Sequence, residues 1–154
     1  MYVFFSLLEL LFLTQLFQKQ KHQGYNTPEH RAMAKLLQCT NLTELNIEHN
    51  FNFPAGILRP FNDNTFPYLH YIRANGCGLS TEDLEAIAKG CPNLQRLIIF
   101  GNNKIRNAGV VALGHSQSKL EIINLEQLHK LSDPALLALA ECPSLRNLFL
   151  GRMK

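Results

Sequence analysis

Apolar residues recur along the chain in one short figure, Leu-x-x-Leu-x-Ile-x-x-Asn, clearest at Leu94, Leu97, Ile99 and Asn102. The same spacing runs through Leu42, Leu45, Ile47 and Asn50, and through Leu69, Ile72, Ala74 and Cys77. It returns at Leu120, Ile123, Leu125 and Leu128, and at Leu145, Leu148, Leu150 and Met153. The first positions are 42, 69, 94, 120 and 145, so the steps are 27, 25, 26 and 25 residues. Each copy alternates apolar residues with others, which predicts a short strand whose alternate side chains face opposite sides of a sheet. Units that cannot bury their own apolar face, repeated at this period, predict a solenoid of stacked coils around one continuous core.

The halves between strands carry helix signals. They read 79–88, 105–113 and 131–140, with Ala86, Ala112 and Ala138 in register where a helix must come close to the sheet. Ser80 with Asp83 three residues later is a capping arrangement, and Ser132-Asp133-Pro134 is a second helix start. Thr27-Pro28-Glu29 opens a further helix that runs towards Cys39, taken as the tail of a repeat whose strand is missing or degenerate. The half after Asn50 differs, since Pro54 and Pro60 would each cost a regular helix its hydrogen bonds. An irregular or 3₁₀ connection is expected there, with Phe51, Phe53, Ile57 and Phe61 filling its apolar side.

These residues resemble the cysteine-containing class of leucine-rich repeats, the ribonuclease-inhibitor-like type present in many F-box substrate adaptors. That class places a cysteine three residues before the first leucine. Cys39, Cys91 and Cys142 stand there, and Phe66 and Gln117 fill the place in the other copies. The resemblance covers residues 28–154 and implies an α/β fold: a right-handed leucine-rich-repeat solenoid, a horseshoe arc with a concave parallel sheet and convex helices. Residues 1–38 are expected to be an N-terminal helical segment or degenerate repeat, and residues 39–154 the repeats proper, about five strands with the last repeat truncated. The family's ninth position carries an asparagine that satisfies backbone groups of the turn. Asn50 and Asn102 keep it, Cys77 substitutes weakly through its thiol, and Leu128 cannot hydrogen-bond at all. The turn at Leu128 must find water or another partner, or else the register is shifted there.

Residues 1–13 are apolar nearly all round, with Glu9 the one charge. A transmembrane span, a signal peptide and a buried or capping helix compete for this stretch. The run fades into Gln15, Gln18 and Lys19 before a span is complete, and neither a basic start nor a small-residue cleavage site is visible. A buried helix is therefore preferred, and no membrane partner is expected. At the other end, the apolar edge of Leu145, Leu148 and Leu150 has no helix after it, so the chain is expected to be a fragment or to dock something there.

Composition adds boundaries. An apolar fraction of 46% with 18% charged residues suits one globular domain, and a net charge of +3 without a basic stripe gives no reason to expect nucleic acid. Equivalent cysteines two coils apart would lie about 10 Å from each other, beyond the roughly 7 Å reach of a disulfide. All four cysteines are thus expected to be buried free thiols of a cytoplasmic or nuclear protein. The sequon Asn41-Leu42-Thr43 matters only in a secreted chain. The six histidines are scattered, the glycines at 76, 78, 101 and 109 are assigned to turns, and no triad, dyad or metal set appears. No catalysis, cofactor or metal is expected.

The residues between the inward-facing ones form three columns across the sheet. They are Glu44, Tyr71, Arg96, Ile122, Asn147; then Asn46, Arg73, Ile98, Asn124, Phe149; then Glu48, Asn75, Phe100, Glu126, Gly151. Tyrosine and arginine around apolar residues are the types that dominate protein–protein interfaces. Tyr71, Arg73, Arg96, Ile98, Phe100, Ile122 and Phe149 are therefore expected to bind a protein partner of unknown identity. The resemblance adds an alternative: the substrate-recognition part of an F-box (cullin-RING) ubiquitin ligase, with ligase components as possible partners, although residues 1–38 lack the Leu-Pro-x-Glu opening of an F-box.

Overall fold

The computed structural model describes residues 2–3, 33, 35, 39–48, 53–62 and 66–152. Along them run β1 (Tyr2–Val3), β2 (Glu44–Asn46), a 3₁₀ turn (Arg59–Asn62), β3 (Tyr71–Arg73), α1 (Thr81–Gly90) and β4 (Arg96–Ile98). Then follow α2 (Asn107–Ser116), β5 (Ile122–Asn124), α3 (Asp133–Ala140) and β6 (Asn147–Phe149). The strands form one open parallel sheet in the order β1 to β6, and the helices pack side by side behind it. The preferred helix over the first residues, apart from Tyr2 and Val3, and Phe51 fall outside the described residues, and of the helix from Thr27 only Met33 and Lys35 are described, both helical. Tyr2–Val3 pair in parallel with Glu44 and Leu45.

Strands β2 to β6 are three residues long because each coil needs only one straight segment between two turns. In β2 to β5 the middle residue, Leu45, Ile72, Leu97 or Ile123, is buried, and its neighbours on either side are half-buried. The core continues through Leu69, Leu94 and Leu120 before the strands and Ala74, Ile99 and Leu125 after them. Leu84 and Ile87, Val110 and Leu113, and Ala135 and Leu139 close it from the helices. Leu148 breaks the series. Its equivalents are buried but it is 39% exposed, because no described coil lies beyond β6.

One expectation about small residues comes out differently. Gly109 lies inside α2 rather than at a turn. A Cβ there would come within 2.9 Å of Leu84 Cβ, so this glycine lets α2 settle against α1. Gly114 plays the same part towards α3, facing the Ala138 backbone. The true turn series is Gly76, Gly101, Gln127 and Arg152, with φ of 61°, 73°, 59° and 58°. The last two hold side chains in the left-handed region that glycine occupies freely.

The turn at each strand end explains the ninth position. Asn102 is fully buried: its Oδ1 accepts Leu79 N–H at 2.9 Å, and its Nδ2 donates to Ala74 O at 2.8 Å and Ile99 O at 2.7 Å. Cys77 reproduces one of these bonds, its thiol donating to Ile47 O at 2.9 Å. Leu128 is fully buried too, and no register shift occurs. Its own N–H donates to Leu125 O at 3.2 Å, and Ile105 N–H turns to Asn102 O at 3.1 Å, so the turn needs no side-chain amide.

The irregular half forms as the prolines dictate, with a turn and the 3₁₀ segment burying Phe53, Ile57 and Phe61. Asp83, buried in the first turn of α1, holds it. Its carboxylate accepts N–H groups of Ser80 at 2.8 Å, Gly56 at 3.1 Å and Leu58 at 2.8 Å, and the Ser80 hydroxyl at 2.7 Å. A capping residue expected to serve its own helix thus also fastens the previous coil.

The cysteines need one correction. Cys77, Cys91 and Cys142 are buried free thiols, but Cys39 is exposed. The buried thiol position is roofed by the end of the preceding coil's helix. Cys142 Sγ donates to Gly114 O at 3.6 Å, as Gln117 Nε2 donates to Ala88 O at 3.0 Å one coil earlier. Of the coil before Cys39 only Tyr2, Val3, Met33 and Lys35 are described.

Candidate functional site

The face of the sheet turned away from the helices carries the expected columns in the expected alignment. Glu44 pairs with Tyr71, Tyr71 with Arg96, Arg96 with Ile122 and Ile122 with Asn147. Asn46, Arg73, Ile98, Asn124 and Phe149 align in the same way. The third column lies in the turns just past the strands, where Gly76, Gly101 and Gln127 N–H groups donate to Phe100, Glu126 and Gly151 carbonyls.

Tyr71, Arg73, Arg96 and Ile98 form a block on two adjacent strands, with Phe100 at its edge. The Arg96 guanidinium lies 4.4 Å from the centre of the Tyr71 ring, and its Nη2 reaches across that ring to within 3.7 Å of Glu44 Oε1. His70 Nε2 stands 3.5 Å from the same oxygen. Arg73 Nε approaches Glu48 Oε2 at 2.7 Å, an ion-pair contact rather than an aligned hydrogen bond, and Asn75 Nδ2 donates to that oxygen at 3.1 Å. Asn75 Oδ1 accepts the Phe100 N–H at 3.1 Å. Both arginine side chains keep over two fifths of their surface exposed, so they are held from below and open above.

The apolar residues are less contiguous than the block. Asn124 stands between Ile98 and Phe149 in their column, and Ile122 lies in the other. Phe149 is 45% exposed. The carboxylates Glu44 and Glu48, which position the arginines, are missing from the expected set. The signal was present in the alternation itself, since Glu44 heads the column in which Arg96 stands and Glu48 heads the column beside that of Arg73.

The Ser80 hydroxyl donates to the Asp83 carboxylate, and this contact is spent on the cap of α1. Burial pushes the Cys91 thiol well above its ordinary value, and burial and then the neighbouring Glu141 raise that of Cys142, so both stay protonated thiols. Among the described residues, no group of three or more His, Cys, Asp or Glu could hold a metal ion, and no helix is long and apolar enough to cross a membrane.

No curated protein matches the chain. A family model does, described as "FBD-associated F-box protein At5g56370, LRR repeats", and it spans residues 6–154. The cysteine-containing coils, the open parallel sheet and the helices behind it agree with that match. The chain belongs to the F-box-associated leucine-rich-repeat family.

Proposed function

We propose that the chain is a protein-interaction scaffold that takes its partner on the concave face, with Tyr71, Arg73, Arg96, Ile98, Phe100, Ile122 and Phe149 in contact. The observation that carries this reading is the stack of Arg96 on Tyr71 at 4.4 Å with Glu44 behind it. Long side chains already fixed in place lose less freedom when a partner arrives. Their exposed outer sides offer the residue types that dominate interfaces. Membership of a repeat family fits an interaction role better than a catalytic one. The buried thiols support a reducing, cytoplasmic or nuclear setting.

A second reading is favoured by the family alone. In it the same face recognises the substrate of an F-box ubiquitin ligase, and the ligase components are the further partners.

The test is recovery of interacting proteins by the wild type, by a Tyr71/Arg96/Phe100 triple alanine variant, and by a variant altered at the exposed convex residue Glu85. Arg96→Ala or Phe100→Ala should weaken binding by about 1–4 kcal/mol with the fold intact. Leu97→Ala, one residue away but in the core, should cost about 2–5 kcal/mol of stability. If the triple variant keeps every partner and the Glu85 variant loses one, the working surface is the convex side.

A further inference from the structure

We infer that Glu126 is the anchor for a basic side chain of the partner, an arginine or lysine carried on an extended segment between apolar residues. This inference rests on the concave-face reading and adds the partner's chemistry to it. The reason lies in a comparison the repeat makes within itself. Glu48 and Glu126 occupy the same place three coils apart, each two residues after an asparagine. In both coils that asparagine's Oδ1 accepts the glutamate N–H, at 3.2 Å for Glu48 and 2.9 Å for Glu126. The two carboxylates therefore start from the same local turn.

What the next strand supplies is different. Beside Glu48 stand Arg73 and Asn75, at 2.7 Å and 3.1 Å from its Oε2. Beside Glu126 the register puts Phe149 where Arg73 would be, and the turn puts Gly151 in the place of Asn75. Glu126 Oε2 accepts Asn124 Nδ2 at 2.9 Å, and among the described residues no Lys, Arg or His pairs with the carboxylate. Arg152, the next residue along, is exposed and makes no ion pair with it.

Gly151 keeps the position open. A Cβ there would collide with Glu126 Oε1, so that oxygen lies over bare backbone. The charges around Tyr71 are compensated within the chain: Arg73 by Glu48, and Arg96 and His70 by Glu44. Glu126 is thus a concave carboxylate that no cation among the described residues compensates, and it stands open to one from a partner. Phe100 stands in the coil before it and the exposed Phe149 in the coil after it, so an incoming cation meets aromatic side chains as well as a charge. Its flanking residues meet Ile98 and Ile122. A basic side chain would complete here the pairing that Arg73 gives Glu48 in the first coil, which is why the complementary partner is basic.

The experiment uses the full chain and an array of short extended peptides with a central arginine between apolar residues. The same peptides are made with citrulline, which keeps the shape without the charge, or with glutamate. Arginine peptides are expected to bind the wild type at least tenfold more tightly than citrulline peptides. Glu126→Gln should abolish that difference, and Glu126→Arg should turn the preference to glutamate peptides. Phe149→Arg, which copies Arg73 into the last strand, should pair with Glu126 inside the chain and remove the arginine preference without lowering the unfolding midpoint. Equal binding of arginine and citrulline peptides, survival of the arginine preference in Glu126→Gln, or failure of every peptide to bind overturns the inference. If the charge is irrelevant but an Ile98/Phe100 double alanine variant loses the peptides, this inference fails and the concave-face reading stands. If that variant also keeps them, both fail.

Discussion

At the scale of single residues, one position can be filled by an amide, a thiol or a plain hydrocarbon, and the neighbours decide which. Asn102 serves three buried backbone groups, Cys77 serves one by the same route, and Leu128 serves none because those groups are already satisfied. The exchange is therefore harmful in both directions. Asn102→Leu should cost about 2–4 kcal/mol in urea unfolding, since it strands a donor and leaves two carbonyls short of partners. Leu128→Asn should cost about 1–3 kcal/mol by burying an amide that nothing is waiting to meet. Equal stability of Leu128→Asn and wild type would mean that the turn had room for the amide after all. The thiols give a second prediction. Cys39 should react with a thiol reagent in the native chain, while Cys77, Cys91 and Cys142 wait for unfolding. The Cys91 thiol holds its proton to higher pH in the folded chain than in the unfolded one. Its stabilising effect is thus complete below the ordinary thiol value of about 8.5 and is lost as pH rises above it, by up to about 1.4 kcal/mol per pH unit. Cys91→Ala should flatten that alkaline decline in a series of unfolding curves.

At the scale of elements, the regular halves were legible because apolar spacing and helix starts repeat in register. The segment between β2 and β3 was legible only in outline. Pro54 and Pro60 exclude a regular helix, but what replaces it depends on Asp83, more than twenty residues away in sequence. A fold of this kind places each loop against the next coil, so local sequence names the vacancy and the neighbour fills it. Ser132 makes the same point. Its hydroxyl accepts from Asn107 Nδ2 at 2.8 Å and its N–H donates to Asn107 Oδ1 at 2.9 Å, so it joins two helix starts instead of capping its own helix. Asp83→Asn should destabilise by about 2–4 kcal/mol, because an amide cannot accept from four donors at once. Faster hydrogen exchange at Gly56 and Leu58 should accompany it. Unchanged exchange there would show that the irregular half stands without its carboxylate.

At the scale of the whole molecule, a period of about 26 residues brings side chains far apart in sequence into rows on one face. The rows themselves were legible, since the alternation fixes which residues look outward and the period fixes their alignment. The contacts along them were not. Arg96 reaches over Tyr71 to a carboxylate two coils away, and Glu126 gains its open side only because Phe149 and Gly151 follow it. Both depend on the residues that happen to be adjacent in the stack, which no single repeat reveals. The exposed Leu137 at 69% and Phe149 at 45% lie on opposite sides of the molecule, one on α3 and one on the sheet, and so offer a direct comparison of the two surfaces. The central claim is that the sheet face does the binding. The measurement that tests it is site-specific photo-crosslinking, with a benzophenone side chain placed at Ile98, at Phe149 or at Leu137 and the covalent adducts quantified by mass spectrometry. The account predicts that one and the same partner is captured from Ile98 and Phe149 and not from Leu137. Capture from Leu137 alone would contradict it.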